Sequence, residues 1–467
     1  MDLAEANVIM ILIPDGVGIR NFVYSDFYYL LTGKGYRVVY VLPEYLVYAD
    51  FPFEFIVLKE PKVHWLTGIF NAALIRAELL NNTKRFDDPV YLTYIFKRKI
   101  AGFKSRVKYA LELLIARMAF HMNGISYLHR LIEWFESGTQ YYKHCYSLFS
   151  SNRPSFLLIS NQRHSSCVAP VQAAKNLRIK TGSFIFSWDN LPKGTKVVRP
   201  EYYFVWSAFM KNELQRYYPD IRATQIAVFG TPQFEIYYKK AYILEKEVFF
   251  KMFDLDITKT YICFSGDDIT TSPYDEEYLR DLAEAVRYLN SAGHSLGILF
   301  RKSPVEVTNR YQSTILAYKD IIRVADPEWY RIGDSWNTIV PGPRDNMILA
   351  STVYYCACVV NIGSSMVFDF ACLGKPCIYI KYNTDVTSEW RVEDIYHFVH
   401  FRSMPSSRVV LWVNAPEEFS AVIQSALGGV KETVESAREW MEVICQHPVQ
   451  HSSQRLVDSI ERVISNK

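Results

Sequence analysis

Residues Tyr354 to Tyr379 read YYCACVVNIGSSMVFDFACLGKPCIY. The apolar run Cys356 to Asn361 predicts a strand, Gly363, Ser364 and Ser365 a small-residue turn, and Met366 to Leu373 a helix. Gly374-Lys375-Pro376 stops that helix, and a second strand opens at Cys377. A strand this apolar throughout is buried on both faces, which points to a parallel sheet with helical crossovers. The turn sets backbone N–H groups at a helix N-terminus, where partial positive charge suits a phosphate. Asp369 falls one turn into the helix, five residues before Gly374, where a carboxylate can accept hydrogen bonds from a ribose. The unit reads as a nucleotide-binding half-site. Any α/β domain also contains such units, and Asp369 on a surface helix would simply face solvent.

The rest of the chain bounds that reading. At 467 residues it exceeds the size of one core, so two domains are expected. With 49% hydrophobic and 22% charged residues the composition is globular, and a net charge of +3 gives no support for nucleic acid as a partner. The 8 cysteines form no CxxC pair and no Cys/His cluster with zinc spacing, so they read as reduced core residues of a cytosolic protein. MDLAEAN, ahead of the first apolar run, lacks the basic region of a signal peptide, and no stretch is long and apolar enough to predict a membrane span.

NVIMILIP (Asn7 to Pro14) predicts the first parallel strand, followed by a Gly-containing turn, a helix from about Phe22 to Leu31 and a strand from Arg37 to Leu42. This start resembles a Rossmann unit with an incomplete fingerprint: Gly16 and Gly18 are present, but Asn21 stands where the third glycine belongs. Arg20 lies at the mouth of the first strand–helix loop, the end of the sheet where open α/β folds bind ligands; its other reading is a surface arginine. Basic residues between Lys84 and Lys108, including Lys97, Arg98 and Lys99, lead into an apolar helix, YALELLIARMAFHM. Such a segment either rests on an anionic membrane or packs on its own domain with a solvated basic rim. From Ser155 the strand–helix rhythm returns, and three strand-end loops carry polar clusters: Asn161-Gln162-Arg163-His164, Ser187-Trp188-Asp189-Asn190, and Ser207. Polar groups converging on one rim are what a substrate cleft needs. A charged, Tyr-rich segment from Phe229 to Val248 reads as an interdomain connection. A second series starts at Thr260 to Gly266 and closes with strand Val409 to Asn414 and two helices, the last (about Gln454 to Ser465) returning to the first domain.

In this order, DGVGIRNF (Asp15 to Phe22), FSWDNL (Phe186 to Leu191), FVWSAFMKNEL (Phe204 to Leu214), FGTPQFE (Phe229 to Glu235) and NIGSSMVFDFACLGKP (Asn361 to Pro376) resemble the GT-B-fold glycosyltransferases. More narrowly, the chain is similar to bacterial surface-polysaccharide transferases of the capsule or O-antigen type, and is related to the UDP-N-acetylglucosamine transferase and 2-epimerase superfamily. The resemblance implies two Rossmann-like α/β domains with a cleft between them. These are residues 1–235 for the acceptor, a linker at 236–258, residues 259–440 for the nucleotide sugar, and a C-terminal helix at 441–467. By match, Asp369 would bind the donor ribose and Gly363, Ser364 and Ser365 the phosphates. Phe368 stands where those families often carry a second acid, which makes the epimerase reaction less expected.

The implied activity moves a sugar from a nucleotide sugar, UDP being the favoured nucleotide, to a hydroxyl on a saccharide or lipid-linked saccharide. No resident cofactor and no metal is expected. The leaving diphosphate gathers negative charge, which backbone N–H groups and cations can stabilise. Ser265 and Gly266 end one strand of the second domain, and Arg301 and Lys302 end another, placed to meet the diphosphate or else facing solvent. Asp267-Asp268 reads as a loop ahead of a helix rather than as a divalent-ion site. Asp189 is the preferred catalytic base over His164, with a capping role as its other reading. Arg20, Arg163 and Asn190 would hold acceptor or phosphate. A cytoplasmic enzyme, peripheral at the inner face of the cell membrane, fits this reading. Two others remain open: a 2-epimerase or teichoic-acid-type polyol-phosphate transferase on the same fold, and a non-catalytic carbohydrate-binding protein.

Overall fold

The structure, a computed structural model, describes residues 7–47, 51–59, 61–95, 101–122, 124–333 and 338–465. Lys97, Arg98 and Lys99 lie outside the described residues. The chain divides into two compact units: Met1–Pro232 with Ile444–Lys467, and Gln233–Val443.

Unit 1 is built on a seven-stranded parallel sheet. Its strands are β1 (Val8–Leu12), β2 (Arg37–Pro43), β3 (Phe55–Leu58), β4 (Phe156–Ile159), β5 (Lys180–Phe184), β6 (Tyr202–Val205) and β7 (Ile226–Val228). Their spatial order is β3-β2-β1-β4-β5-β6-β7, so the direction of winding reverses between β1 and β4. Phe156, Leu157, Leu158 and Ile159 of β4 are all fully buried, as a strand covered on both faces requires. Truncating one such leucine to alanine costs about 2–5 kcal/mol.

Between β1 and β2 the expected single helix from Phe22 to Leu31 is two, α1 (Gly16–Phe22) and α2 (Phe27–Gly33). Asp15 is the reason: its carboxylate accepts from the Gly18 N–H at 3.0 Å and starts a helix at Gly16, so both glycines lie inside α1. Gly18 also sets the helix close to the sheet, since a Cβ there would stand 2.5 Å from Ser160 Oγ and 2.8 Å from Ile13 Cγ2. After β3 come α3 (Thr67–Phe86), α4 (Val90–Thr93), α5 (Phe103–His121), α6 (Ile125–Ser137) and α7 (Gln140–Asn152); α8 (Val168–Asn176) and α9 (Ala208–Tyr217) follow β4 and β6. Ala73 and Ala77 of α3, Ala116 and Ala119 of α5, and Leu128 and Ile132 of α6 share one core with Met10, Val39 and Leu157 of the sheet.

Unit 2 repeats the plan with six parallel strands in the order β10-β9-β8-β13-β14-β15. These are β8 (Thr260–Gly266), β9 (Leu296–Lys302), β10 (Ile322–Val324), β13 (Cys356–Asn361), β14 (Cys377–Ile380) and β15 (Leu411–Val413). A small antiparallel pair, β11 (Trp329–Arg331) and β12 (Ile339–Pro341), stands apart. The helices are α10 (Lys246–Met252), α11 (Asp275–Ser291), α12 (Gln312–Ala317), α13 (Asp345–Tyr355), α14 (Met366–Cys372), α15 (Val392–His397), α16 (Phe419–Leu427) and α17 (Lys431–Ile444). Winding here reverses between β8 and β13. The segment read as a connection packs onto this unit from Gln233 onward. The Leu244 N–H donates to Ser351 Oγ at 2.8 Å, and the Tyr355 hydroxyl donates to the Leu244 carbonyl at 2.6 Å.

The chain ends with three helices where two are expected, because Gly428-Gly429 separates α16 from α17. The last, α18 (Ser452–Ser465), belongs to unit 1. Arg455 donates to the Phe229 carbonyl at 2.8 Å, and Lys34 of α2's C-terminal cap pairs with Asp458 at 3.1 Å.

Candidate functional site

In a doubly wound sheet the loops at the carboxyl ends of the two strands flanking the reversal diverge, which opens a crevice there. Each unit has its polar residues at that point.

In unit 1, Asp15 follows β1 and Asn161 follows β4, and both are fully buried. Asn161 Nδ2 donates to Asp15 Oδ2 at 2.7 Å while its own Oδ1 accepts the Arg163 N–H at 2.9 Å. Gln162 carries the network to the loop after β5: its Oε1 accepts the Phe186 N–H at 2.8 Å, and its Nε2 donates to Asn190 Oδ1 at 3.2 Å. Asn190 in turn donates to Asp189 Oδ1 at 3.0 Å. Arg163, His164, Asp189 and Asn190 are thus brought onto one edge of the sheet. Arg20 is on α1, its guanidinium 3.4 Å from Asn21 Oδ1, and Arg163 lies over the Phe186 ring at 5.8 Å.

The two candidate bases differ in their surroundings. Asp189 is capped by Asn190 on one oxygen and ion-paired to Lys193 on the other. His164 is half-buried, and its Nδ1 is 2.7 Å from Ser166 Oγ. Burial lowers its pKa from the usual 6.5, with Arg163 adding to the shift and Asp15 opposing it. The imidazole is therefore neutral at neutral pH and able to take a proton.

In unit 2 the opening stretch folds as read. Gly363 adopts φ +61°, and a Cβ there would stand 2.9 Å from both Ile395 Cγ2 and Phe401 Cζ, so only glycine fits the turn. Asn361 Oδ1 accepts the Ser364 N–H at 2.9 Å and the Tyr379 hydroxyl donates to the Ser364 carbonyl at 3.0 Å, which hold the turn. Ser365 begins α14 and is exposed. Asp369 faces inward at 8% exposure, where it accepts a hydrogen bond from the Tyr237 hydroxyl at 2.5 Å. Lys375 of the Gly-Lys-Pro stop donates to the Val353 and Cys356 carbonyls at 2.8 and 2.6 Å, tying the end of α13 to β13.

Ser265 and Gly266 end β8 beside this turn. Arg301 is turned into the protein, joined to Asp345 at 2.7 Å, while Asp345 also accepts from Trp329 Nε1 at 2.8 Å. This ion pair anchors β11. Lys302 is 3.8 Å from Asp326. Asp268 folds back on Thr270 and Thr271, accepting from the Thr270 N–H at 2.9 Å and the Thr271 hydroxyl at 3.0 Å, as a turn former does. Its neighbour Asp267 belongs to a buried acid pair with Asp275, whose Oδ2 accepts the Asp267 N–H at 3.0 Å and the Tyr311 hydroxyl at 2.7 Å. Burial, helped by Asp275 and Asp268, pushes the Asp267 carboxyl well above its usual range. Asp275 is pushed up to about 6, chiefly by burial. Among the described residues no group of three His, Cys, Asp or Glu is arranged to hold a metal ion.

Asn161 and Gln162 were read only as part of a polar loop, and Asp15 and Tyr237 were given no role in the sequence reading. Asp15 had a local signal, an acid directly ahead of a helix. Tyr237 had none, because its partner lies 132 residues away.

No protein-family model matches the chain, and no curated protein sequence does. Solved structures do match over nearly its whole length. A UDP-GlcNAc 2-epimerase from Methanocaldococcus jannaschii aligns at 11% identity and TM-score 0.53, covering 97% of this chain and 99% of that one. A glycosyltransferase from Rickettsia africae aligns at 10% identity and TM-score 0.51 over 99% and 100%. The wall teichoic acid polymerase TagF aligns at 12% identity and TM-score 0.50 over 98% and 89%. At such identities the likeness is one of architecture, and the two doubly wound parallel sheets are those of the GT-B fold.

Proposed function

We propose that the protein is a glycosyltransferase, moving a sugar from a nucleoside-diphosphate sugar to a hydroxyl acceptor in surface-polysaccharide or glycolipid synthesis. The observation that carries this reading is that each sheet reversal bears a different half of the required chemistry. Unit 1 offers a neutral imidazole in a polar rim. Unit 2 offers a glycine-formed turn with a carboxylate oriented by a tyrosine. We take His164 rather than Asp189 as base, since Asp189 is held in an ion pair with Lys193 while burial favours the neutral imidazole of His164. With Nδ1 held by Ser166, the acceptor proton would pass to His164 Nε2 as the acceptor oxygen attacks the anomeric carbon. The bond to the diphosphate breaks, and its electrons leave with the nucleotide. Asp369, steadied by Tyr237, would accept hydrogen bonds from the ribose hydroxyls. Lys302 would offer a cation to the phosphates; Arg301, tied to Asp345, serves the scaffold. That one structure of this fold is named for a UDP sugar supports UDP as the nucleotide.

We also propose that α5 and α6 rest on an anionic membrane that presents a lipid-linked acceptor. Phe103, Val107, Leu111, Leu114, Met118 and Met122 recur at helical spacing on the exposed side of α5, Phe103 being 82% exposed. Tyr127, Leu131 and Trp134 do the same on α6, with Lys104, Lys108, Arg117 and Arg130 exposed around them. A helix that buries one apolar face in its own core and exposes another needs a second partner. Apolar stripes edged by Lys and Arg, with Trp and Tyr among them, suit the lipid interface. Among the described residues no helix is long and apolar enough to cross a membrane.

Nucleotide release from a panel of UDP-, GDP-, CDP- and dTDP-sugars, with and without saccharide acceptors, tests the transfer reading. Acceptor-dependent release of a nucleoside diphosphate is expected. Epimerised sugar from the donor alone would replace it with the epimerase reading, and CMP release from a CDP-polyol with the polyol-phosphate reading. No binding or turnover with any donor would leave a non-catalytic protein.

A further inference from the structure

Unit 1 contains a second polar cavity that the transfer reaction does not use. It has a volume of about 240 Å³ and lies between α3, α6 and the end of α9. Asn71 of α3 donates to Ser165 Oγ, beside His164, at 3.2 Å. Glu78 and Arg85, both on the cavity, follow at successive intervals of seven residues along the same helix. At 1.5 Å per residue they lie roughly 10 and 20 Å further along the axis, so this is a different place from the rim described above.

Its walls hold buried titratable side chains with polar atoms left without hydrogen bonds. Glu78, His129 and Lys196 are 5%, 6% and 4% exposed. Glu78 Oε2 accepts from the Tyr218 hydroxyl at 3.0 Å; Oε1 stands 3.4 Å from His129 Nε2 without a hydrogen bond, and His129 Nδ1 has no hydrogen-bond partner. The Lys196 ammonium rests against the Tyr218 ring, 4.4 Å from its centroid, rather than on a carboxylate. Leaving an ammonium and two polar atoms inside a protein without hydrogen bonds costs stability unless something in the cavity answers them. Arg85 and Arg199, the latter 3.8 Å from Glu133, join Lys196 on the lining, opposed by Glu78 and Asp220. Burial pushes the Glu78 carboxyl up to about 8 and the Lys196 ammonium down to about 8, each shift partly opposed by the charge of the other.

We infer that this cavity is a binding site for a small phosphorylated ligand, held by Lys196, Arg85 and Arg199, with the Asn81 and Asn82 amides as further donors. A dianion suits three cations on one lining better than a carboxylate does, because each cation can meet a separate oxygen. The volume fits a phosphate with a few further atoms and not a nucleotide sugar. Free phosphate and a phosphate monoester share the recognising chemistry.

Calorimetric titration of the whole protein at constant ionic strength, with inorganic phosphate in one arm and glycerol phosphate in the other, tests this. Saturable binding is expected in at least one arm, the tighter arm naming the source. Lys196→Met and Arg85→Gln should each weaken it at least tenfold, while Asp369→Asn leaves it unchanged. Arg85 is exposed, so its glutamine variant tests the site even where Lys196→Met disturbs folding. Absence of saturable binding in both arms, or an isotherm unaltered in Arg85→Gln, would overturn the inference, the latter assigning the phosphate to another site.

Discussion

His164 has the proton chemistry of the proposed reaction, and its surroundings set the pH at which it can act. A histidine whose pKa is lowered by burial keeps its neutral form further into the acid range. The acidic limb of the kcat/KM profile should therefore fall below 6.5. His164→Gln should remove that limb and lower kcat about 10²–10⁴-fold, the usual worth of a general base. A profile and rate unchanged in the variant would return the role to Asp189 or to no residue of this rim. At the other half-site, Asp369→Ala should weaken UDP-sugar binding by about 1.5–3 kcal/mol, as for a hydrogen bond to a charged group. Tyr237→Phe keeps the carboxylate but removes its 2.5 Å partner. It should cost less, about 0.5–1.5 kcal/mol. Equal affinity for wild type and both variants by calorimetry would remove Asp369 from the donor site. Asp369 itself was legible, because the small-residue turn and the Gly-Lys-Pro stop are local in sequence. The tyrosine that orients it was not, since nothing local marks a contact across the fold.

Among the elements, the parallel strands were the most legible. Strands buried on both faces write continuous apolar runs, and β1, β2, β8 and β13 fall where those runs predict. Helices were less so where capping, rather than periodicity, sets their limits. Asp15 opens α1 at Gly16, although the same residues read as turn chemistry. The pair α5–α6 shows a further limit. A helix apolar on both the buried and the exposed side gives little contrast around its circumference, so the outward stripe emerges only once Ala116 and Ala119 are seen to be the buried residues. This stripe yields the third prediction. Sedimentation with vesicles rich in anionic lipid should exceed that with neutral vesicles and fall with salt, each basic residue near the surface contributing about 1 kcal/mol. Leu114→Asp with Met118→Asp should abolish binding without unfolding the protein, because both side chains are exposed. Lys104→Gln with Lys108→Gln should reduce the salt dependence. Equal sedimentation with both vesicle types, or none with either, would overturn the membrane reading of the stripe.

For the molecule as a whole, the division of the chain is asymmetric: unit 2 is one continuous segment, Gln233–Val443, while unit 1 is closed by the distant Ile444–Lys467. Leu456, Val457 and Ile460 of α18 are fully buried. At about 1.5–3 kcal/mol for each side chain, their burial contributes roughly 5–9 kcal/mol. That is comparable to the whole net stability of an ordinary domain, about 5–15 kcal/mol. Polar ties add to it: Arg455 meets the Phe229 and Gln446 carbonyls, each at 2.8 Å, and the Gln446 N–H meets the Trp206 carbonyl at 2.8 Å. A fragment of residues 233–443 should therefore fold alone, with a cooperative melt by circular dichroism. A fragment of residues 1–232 should not, exposing the face of α2 that α18 covers. Adding a peptide of residues 444–467 should restore a cooperative transition that rises with peptide concentration, as linkage requires of a partner that binds only the folded form. A fragment 1–232 that melts cooperatively, and at the same temperature with the peptide as without it, would show that unit 1 is complete before the chain returns to it.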